Sequence, residues 1–386
     1  MPVNEAVLSR SVPALERTID TPVTLRHMPV LDGVRAIAIL TVMAYHLQWL
    51  VPEIGNFTSG GFLGVDIFFV LSGFLITSVL LKEQDRFGSI SLKNFFIRRF
   101  LRLAPAFWAF LVVLYFCAEY VLPADASRVV YGGNNFLYAF LYLTNWHVAA
   151  GAVAGNLNHT WSLAIEEQFY LLWSVVLCLA FIKKLRRSQI AGLTILILSI
   201  LTFIRIYRAV SGEEIRTLYY STESRIDGLL FGCVASMFYC WKLVPDAFFA
   251  SRGALYSALA LFLISLAIFF RFDYTDISLY CGPLSVFECS VAVMILWLVS
   301  GPRAILHTLL EAKPMIWIGN ISYALYLWHY AVFEFAKGTF RWPGLQIGFA
   351  IAISFVIASA SYYLIEKPFL KLKDRMQLDL SKTAGK

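Results

Sequence analysis

The chain has 386 residues, of which 59% are hydrophobic and only 15% charged, and its mean hydropathy is +0.69. Soluble globular chains carry about a quarter charged residues, so this balance excludes a soluble globular enzyme and points to a polytopic membrane protein. The formal charge of +7 sits in short basic runs between apolar segments, the pattern of membrane orientation, and no nucleic-acid partner is expected.

Residues 1–27 are polar and of mixed charge, without the apolar stretch or cleavage pattern of a signal peptide. They are expected to form a cytoplasmic arm ahead of a membrane domain over residues 28–368 and a basic cytoplasmic tail over 369–386. The first apolar segment, LDGVRAIAILTVMAYHLQWL, is long enough to cross a bilayer yet holds Arg35 and His46. On a helix these positions differ by roughly 1100° of rotation, close to three whole turns, so they share one face about 16 Å apart in rise. They cannot touch each other, but they can hold two ends of something lying along the helix. Ionisable groups within a membrane segment mark a functional site by default.

With the first window at about 33–50, further windows of near-spanning length follow at about 61–81, 101–122, 161–182, 190–210, 224–241, 253–270, 280–300, 315–336 and 344–366. Residues 135–143 are too short to cross and run into the Gly- and Asn-rich NWHVAAGAVAGNLNHT, so this piece is expected to be re-entrant or interfacial, buried against protein. With the N-terminus inside, 23 of the 32 Lys and Arg fall on the cytoplasmic side and five opposite; the other four lie within helices or at their ends. Letting 135–143 span would turn KKLRR outward and erase that bias. The expected fold is all-α: a polytopic transmembrane helical bundle of about ten spanning helices plus one re-entrant or interfacial segment, with both termini in the cytoplasm. No internal repeat or inverted half is evident. The tail KPFLKLKDRMQLDLSKTAGK is expected against anionic headgroups of the membrane lipids. The six cysteines lie in or beside apolar segments, as small core hydrophobes do. His147 and His159, flanking a Gly-rich loop, do not make a ligand set, and no metal is expected.

On this topology His46 lies about four residues, roughly 6 Å, below the outer end of its helix. Asp66 in GFLGVDIFFVLSGFLITSVLL, Glu166 and Glu167 in TWSLAIEEQFYLLW, His329 in WIGNISYALYLWHY, and Arg225 and Asp227 in SRIDG fall in the same layer. Facing all of them to lipid is prohibitive, so they are expected to converge on a polar pocket with His46 catalytic. Asp66 or Glu166 is expected to fix the His46 tautomer, as the carboxylate does in a serine-protease triad. His329, Arg225, Trp161 and Tyr323 are expected to contact the substrate that enters this pocket. No activated Ser or Cys nucleophile presents itself, and Ser72 in VLSGF is expected only to allow close packing beside Gly73. In IRRFLRLAP, Arg98 suits positive-inside anchoring. Arg99 and Arg102, three apart on one face, fit either anchoring or a phosphate clamp. Pro105 is placed in the first turns of its helix, where proline is tolerated, and His27 and His307 are placed in loops.

These residues resemble the acyltransferase type 3 membrane family. Arg35 and His46 reproduce its R-x10-H pattern, and Arg99 to Arg102 its R-x-x-R element. GGFLGVDIFFVLSGFLIT, NHTWSLAIEEQFYLLW, GNISYALYLWHY and SYYLIEKP are similar to its signatures, so the resemblance runs from Leu31 to Pro368. It implies transfer of an acyl group, usually acetyl, from cytoplasmic acyl-CoA to a hydroxyl of a carbohydrate or glycoside acceptor, lipid-linked in some cases, in a bacterial cytoplasmic (inner) membrane. Arg99 and Arg102 would hold the nucleotide end of the coenzyme, Arg35 would steady the thioester arm, and His46 would act as general base. O-antigen or exopolysaccharide is the expected acceptor, with a macrolide or other small secreted glycoside as the alternative. Some relatives carry a fused extracytoplasmic hydrolase-like domain. This chain ends soon after its tenth segment, so a second step is expected to need another protein. A transporter or flippase of lipid-linked sugars would explain the outer pocket but leaves Arg99 and Arg102 without a task. A non-catalytic scaffold leaves the intramembrane charges unexplained.

Overall fold

A backbone in hydrocarbon must satisfy its own N–H and C=O groups, which confines apolar runs of this kind to helices. The computed structural model describes residues 27–120, 134–338, 340–373 and 375, and among these there are helices and no strands. All of the arm but His27, and most of the tail, lie outside the described residues. In chain order the main helices are α1 (Pro29–Leu47), α2 (Gly64–Phe87), α3 (Leu92–Tyr120), α4 (Trp161–Ile182), α5 (Arg187–Val210) and α6 (Ile226–Cys240). They are followed by α7 (Arg252–Arg271), α8 (Pro283–Ser300), α9 (Lys313–Asn320), α10 (Ser322–Ala336) and α11 (Pro343–Ser361). Among the described residues eight helical stretches are long and apolar enough to cross a membrane, namely all of these except α6, α9 and α10.

All ten expected segments are helical, and two differ in form. At 15 residues α6 is about 22 Å long, short of the roughly 30 Å hydrocarbon layer. It is mostly buried, packed on α2, α5 and α8. The segment over 315–336 is interrupted at Ile321 into α9 and α10. There α9 presses on α1 so closely that a Cβ on Gly319 would stand 2.0 Å from the Asp32 carbonyl oxygen. Residues 135–143 supply the short helix Asn135–Phe140 and the turn leading to a second, Thr144–Ala149, neither long enough to span. Pro105 corrects one expectation. Because α3 begins at Leu92, the proline sits in its interior, where it cannot donate to the Leu101 carbonyl one turn back. His307 likewise lies not in a loop but in the short helix Ile305–Leu310, buried, with Nε2 3.0 Å from the Leu298 carbonyl oxygen.

The tightest seam is between α2 and α6. A Cβ on Gly73 would come within 1.9 Å of the Leu229 carbonyl oxygen, and one on Gly232 within 1.9 Å of the Val70 carbonyl oxygen. Small residues let membrane helices approach to backbone contact in this way. Gly232→Val is therefore expected to lower the thermal unfolding midpoint of the detergent-solubilised protein, at a cost of about 1–3 kcal/mol or more. An unchanged midpoint would refute the contact. Within this frame α1 is enclosed by α2, α9 and α10, and α11 runs on into a π-helical turn, Tyr362–Glu366, packed against α3.

Candidate active site

The last turn of α1 carries His46 to the wall of a cleft of about 120 Å³. The cleft is lined mainly by aromatic rings: Tyr45 and Trp49 beside His46, Trp161 at the start of α4, Tyr219 and Tyr220, Tyr274, and Tyr326 and Tyr330 from α10. The His46 ring lies 4.4 Å from that of Trp49 and 5.3 Å from that of Tyr330. Its Nδ1 is 3.0 Å from His329 Nε2, and the other nitrogen of His329, Nδ1, is 2.8 Å from the Leu325 carbonyl oxygen.

His159, which the sequence suggests only as an inadequate metal ligand, lines the same cleft from the 3-10 turn Gly155–Thr160. It stacks on Tyr330 at 4.7 Å and donates from Nε2 to the Leu327 carbonyl at 3.1 Å. The Tyr326 hydroxyl holds that turn in place, donating to the His159 carbonyl at 2.7 Å beside Ser162 Oγ at 2.5 Å. The available signal was NHTW itself: a histidine two residues before a helix that opens with an aromatic residue and leads to paired acids.

Toward the other end of α1, Arg35 forms an ion pair with Asp32, which also binds His27 at 2.6 Å. Arg35, Arg99 and Arg102 are close enough to act on one another as charges. The Arg99 guanidinium lies 3.7 Å over the Tyr170 ring. Arg102 is solvent-exposed and close to Glu366, which the π-helical turn buries with one carboxyl oxygen unpartnered. Arg98, by contrast, donates to Glu83 at 2.7 Å. Arg35 on α1 thus joins Arg99 and Arg102 of α3 in one guanidinium cluster, and the far end of α1 carries an imidazole into an aromatic cleft.

Several expected partnerships are different in the structure. Neither Asp66 nor Glu166 is bonded to His46. Asp66 takes Arg225 at 2.7 Å, and Glu166 accepts from Ser72 at 2.8 Å, so Ser72 has a polar partner beyond its packing role. The reason is rotation: α2 turns Asp66 toward the start of α6 while α1 turns His46 toward α10. Arg225 is fully buried in that ion pair, 5.1 Å from the Tyr219 ring and 5.6 Å from the Trp161 ring, so it backs the wall of the cleft instead of lining it. Tyr323 is also outside the cleft, nearly two turns before His329, donating to the Leu103 carbonyl at 3.1 Å. Trp161 does line it. The Arg225–Asp66 pair adjoins a second buried group, in which Arg205 meets Asp227 at 2.8 Å, Ser285 at 2.5 Å and Glu288 at 3.6 Å. Glu288 could have been singled out as an acid in the middle of an apolar segment.

A family profile described as an acyltransferase domain matches residues 28–366. The chain is 33% identical over 361 residues to the peptidoglycan O-acetyltransferase OatA of Listeria monocytogenes, a match covering 90% of this chain and 56% of that protein. It is 34% identical over 368 residues to the putative O-acetyltransferase SAS0844 of Staphylococcus aureus (90% and 58%). Over 364 residues it is 32% identical to the putative peptidoglycan O-acetyltransferase YrhL of Bacillus subtilis (89% and 55%). The chain therefore spans little more than half the length of these relatives. No solved structure matches it.

Proposed function

Because the chain belongs to the acyltransferase family whose profile spans residues 28–366, we propose that it transfers an acetyl group from cytoplasmic acetyl-CoA to a hydroxyl of a cell-envelope carbohydrate. The observation that carries this reading is α1 itself. A single rigid helix places Arg35 in a guanidinium cluster and His46 in an aromatic cleft, about 16 Å apart in rise, which suits a phosphate-rich head on a long thin arm. Arg99 and Arg102 bind the phosphates of the coenzyme, and Arg35 steadies the arm. The aromatic walls provide faces for a sugar ring, and the relatives named for peptidoglycan support a carbohydrate polymer as acceptor. In this reading the cleft faces outward from a bacterial cytoplasmic membrane, with the arginines toward the cytoplasm.

The chemistry needs one base. His46 takes the proton of the acceptor hydroxyl as its oxygen bonds to the thioester carbonyl carbon. The C–S bond then breaks, and the sulfur leaves with the proton returned from His46. Titration of purified protein with acetyl-CoA tests donor binding. Arg102→Ala is expected to weaken it tenfold or more, since a hydrogen bond to a charged group is worth about 1.5–3 kcal/mol. An unchanged Kd would remove Arg102 from the donor site. The acceptor is tested by mass spectrometry of peptidoglycan, other surface glycans and secreted metabolites with and without the protein. Loss of one acetyl mass from an envelope glycan is the expected result, and its loss only from a secreted metabolite would reassign the acceptor.

A further inference from the structure

We infer that His329 is a positioning residue that holds His46 in the Nδ1–H tautomer and leaves His46 Nε2 as the free base in the cleft. The consequence for rate rests on His46 being the general base proposed above; the tautomer itself does not. The assignment follows from a chain of donors and acceptors. A carbonyl oxygen only accepts, so the 2.8 Å contact between His329 Nδ1 and Leu325 requires the proton of His329 to be on Nδ1. In a neutral imidazole the other nitrogen then carries only a lone pair. The 3.0 Å contact from His46 Nδ1 to that Nε2 therefore needs a proton on His46 Nδ1. A neutral His46 with its proton there has none on Nε2. The bond to His329 uses Nδ1, and the ring that carries Nε2 lines the cleft.

Neutrality of the pair follows from its surroundings. His329 is fully buried, and among the described residues no carboxylate lies within ion-pair distance of either ring. A second proton on the pair would be a buried charge with no compensation. The acceptor at the root of the chain is also rigid, because Leu325 and His329 are one turn apart on α10 and the His329 ring is held edge-on by Phe333 at 5.8 Å. His329 thus does for His46 what a carboxylate does in a serine-protease triad. A neutral acceptor, however, places no isolated negative charge in the membrane interior. During transfer the acceptor's proton arrives on His46 Nε2 and leaves from it to sulfur, while the Nδ1 proton stays in its bond to His329. His329, expected from the sequence to contact substrate, acts instead through His46.

The test uses the full chain in lipid nanodiscs with 15N-labelled histidine, the His46 and His329 signals being assigned from His46→Gln and His329→Gln. The wild type is expected to show His46 protonated at Nδ1 and bare at Nε2. In His329→Leu, which removes the acceptor, the Nε2–H form should appear and kcat should fall roughly 10²-fold or more while the KM for acetyl-CoA stays unchanged. His329→Gln, whose amide oxygen can accept the same proton, should recover most of kcat. A wild-type His46 carrying its proton on Nε2 would overturn the inference, and that measurement stands even if His329→Leu does not fold. Equal losses in His329→Leu and His329→Gln, or a rise in acceptor KM at constant kcat, would overturn it as well. Normal transfer by His46→Gln would instead sink the general-base reading and leave the tautomer result standing.

Discussion

His46→Ala is expected to reduce acyl transfer by roughly 10²- to 10⁴-fold, the range a positioned general base contributes, while the protein accumulates in the membrane in normal amount. The two halves of this expectation have separate causes. In the proposed reaction His46 takes the proton of the acceptor hydroxyl, so its loss leaves that proton without a place to go. Its structural share is small, because the ring is only half-buried and makes its hydrogen bond at the edge of the cleft. Removing it leaves His329 Nε2 without a donor, a penalty of about 1–3 kcal/mol at most. Alanine also leaves a space beside Trp49 and Tyr330, the rings that flank the imidazole, and added free imidazole should restore part of the rate. The measurement is the initial rate of acetyl transfer by purified protein, with acetyl-CoA binding as the control for integrity. Transfer at the wild-type rate would contradict the assignment of His46.

The second large effect is on stability. Arg225→Leu is expected to destabilise the bundle by about 3–5 kcal/mol, since breaking a buried ion pair leaves an uncompensated charge. Arg225 and Asp66 are both fully buried, 2.7 Å apart, and join the start of α6 to α2. Asp66→Leu alone should cost a similar amount. The double variant Asp66→Leu with Arg225→Leu should recover much of the loss, because it removes both charges and the ring-lined space around Arg225 can take an apolar side chain. Thermal unfolding of the purified variants in one detergent measures all three. If the double variant is as unstable as the sum of the single ones, the two residues do not act as a pair. A loss of transfer in a double variant that folds normally would show that Arg225, behind Trp161 and Tyr219, sets the shape of the cleft.

Much of this molecule was legible before folding was considered, and the limits fall at identifiable residues. Hydrophobicity is a local property, so the ten apolar segments are legible as helical, and 135–143 as too short to cross. Helical periodicity is local too, which is why Arg35 and His46 could be put on one face of α1. Which residue meets which across the bundle is another matter. The partner of His46 lies 283 positions away, and that of Asp66 lies 159 away. A layer of similar depth offers His46 four acids and a histidine, and depth alone cannot choose among them. The choice depends on how each helix is rotated about its axis, and that rotation is set by backbone contacts at Gly73, Gly232 and Gly319.

The break at Ile321, the π-helical turn before Lys367 and the seating of His159 on Tyr330 likewise follow from what packs against each segment. By itself the sequence determined that this chain is a membrane bundle carrying a guanidinium and an imidazole along one stripe, because apolar length and helical period act within a single segment. Only the tertiary structure decided that a histidine, and not a carboxylate, bonds to that imidazole, because hydrogen-bond partners in a bundle are chosen by the packing of helices far apart in the chain.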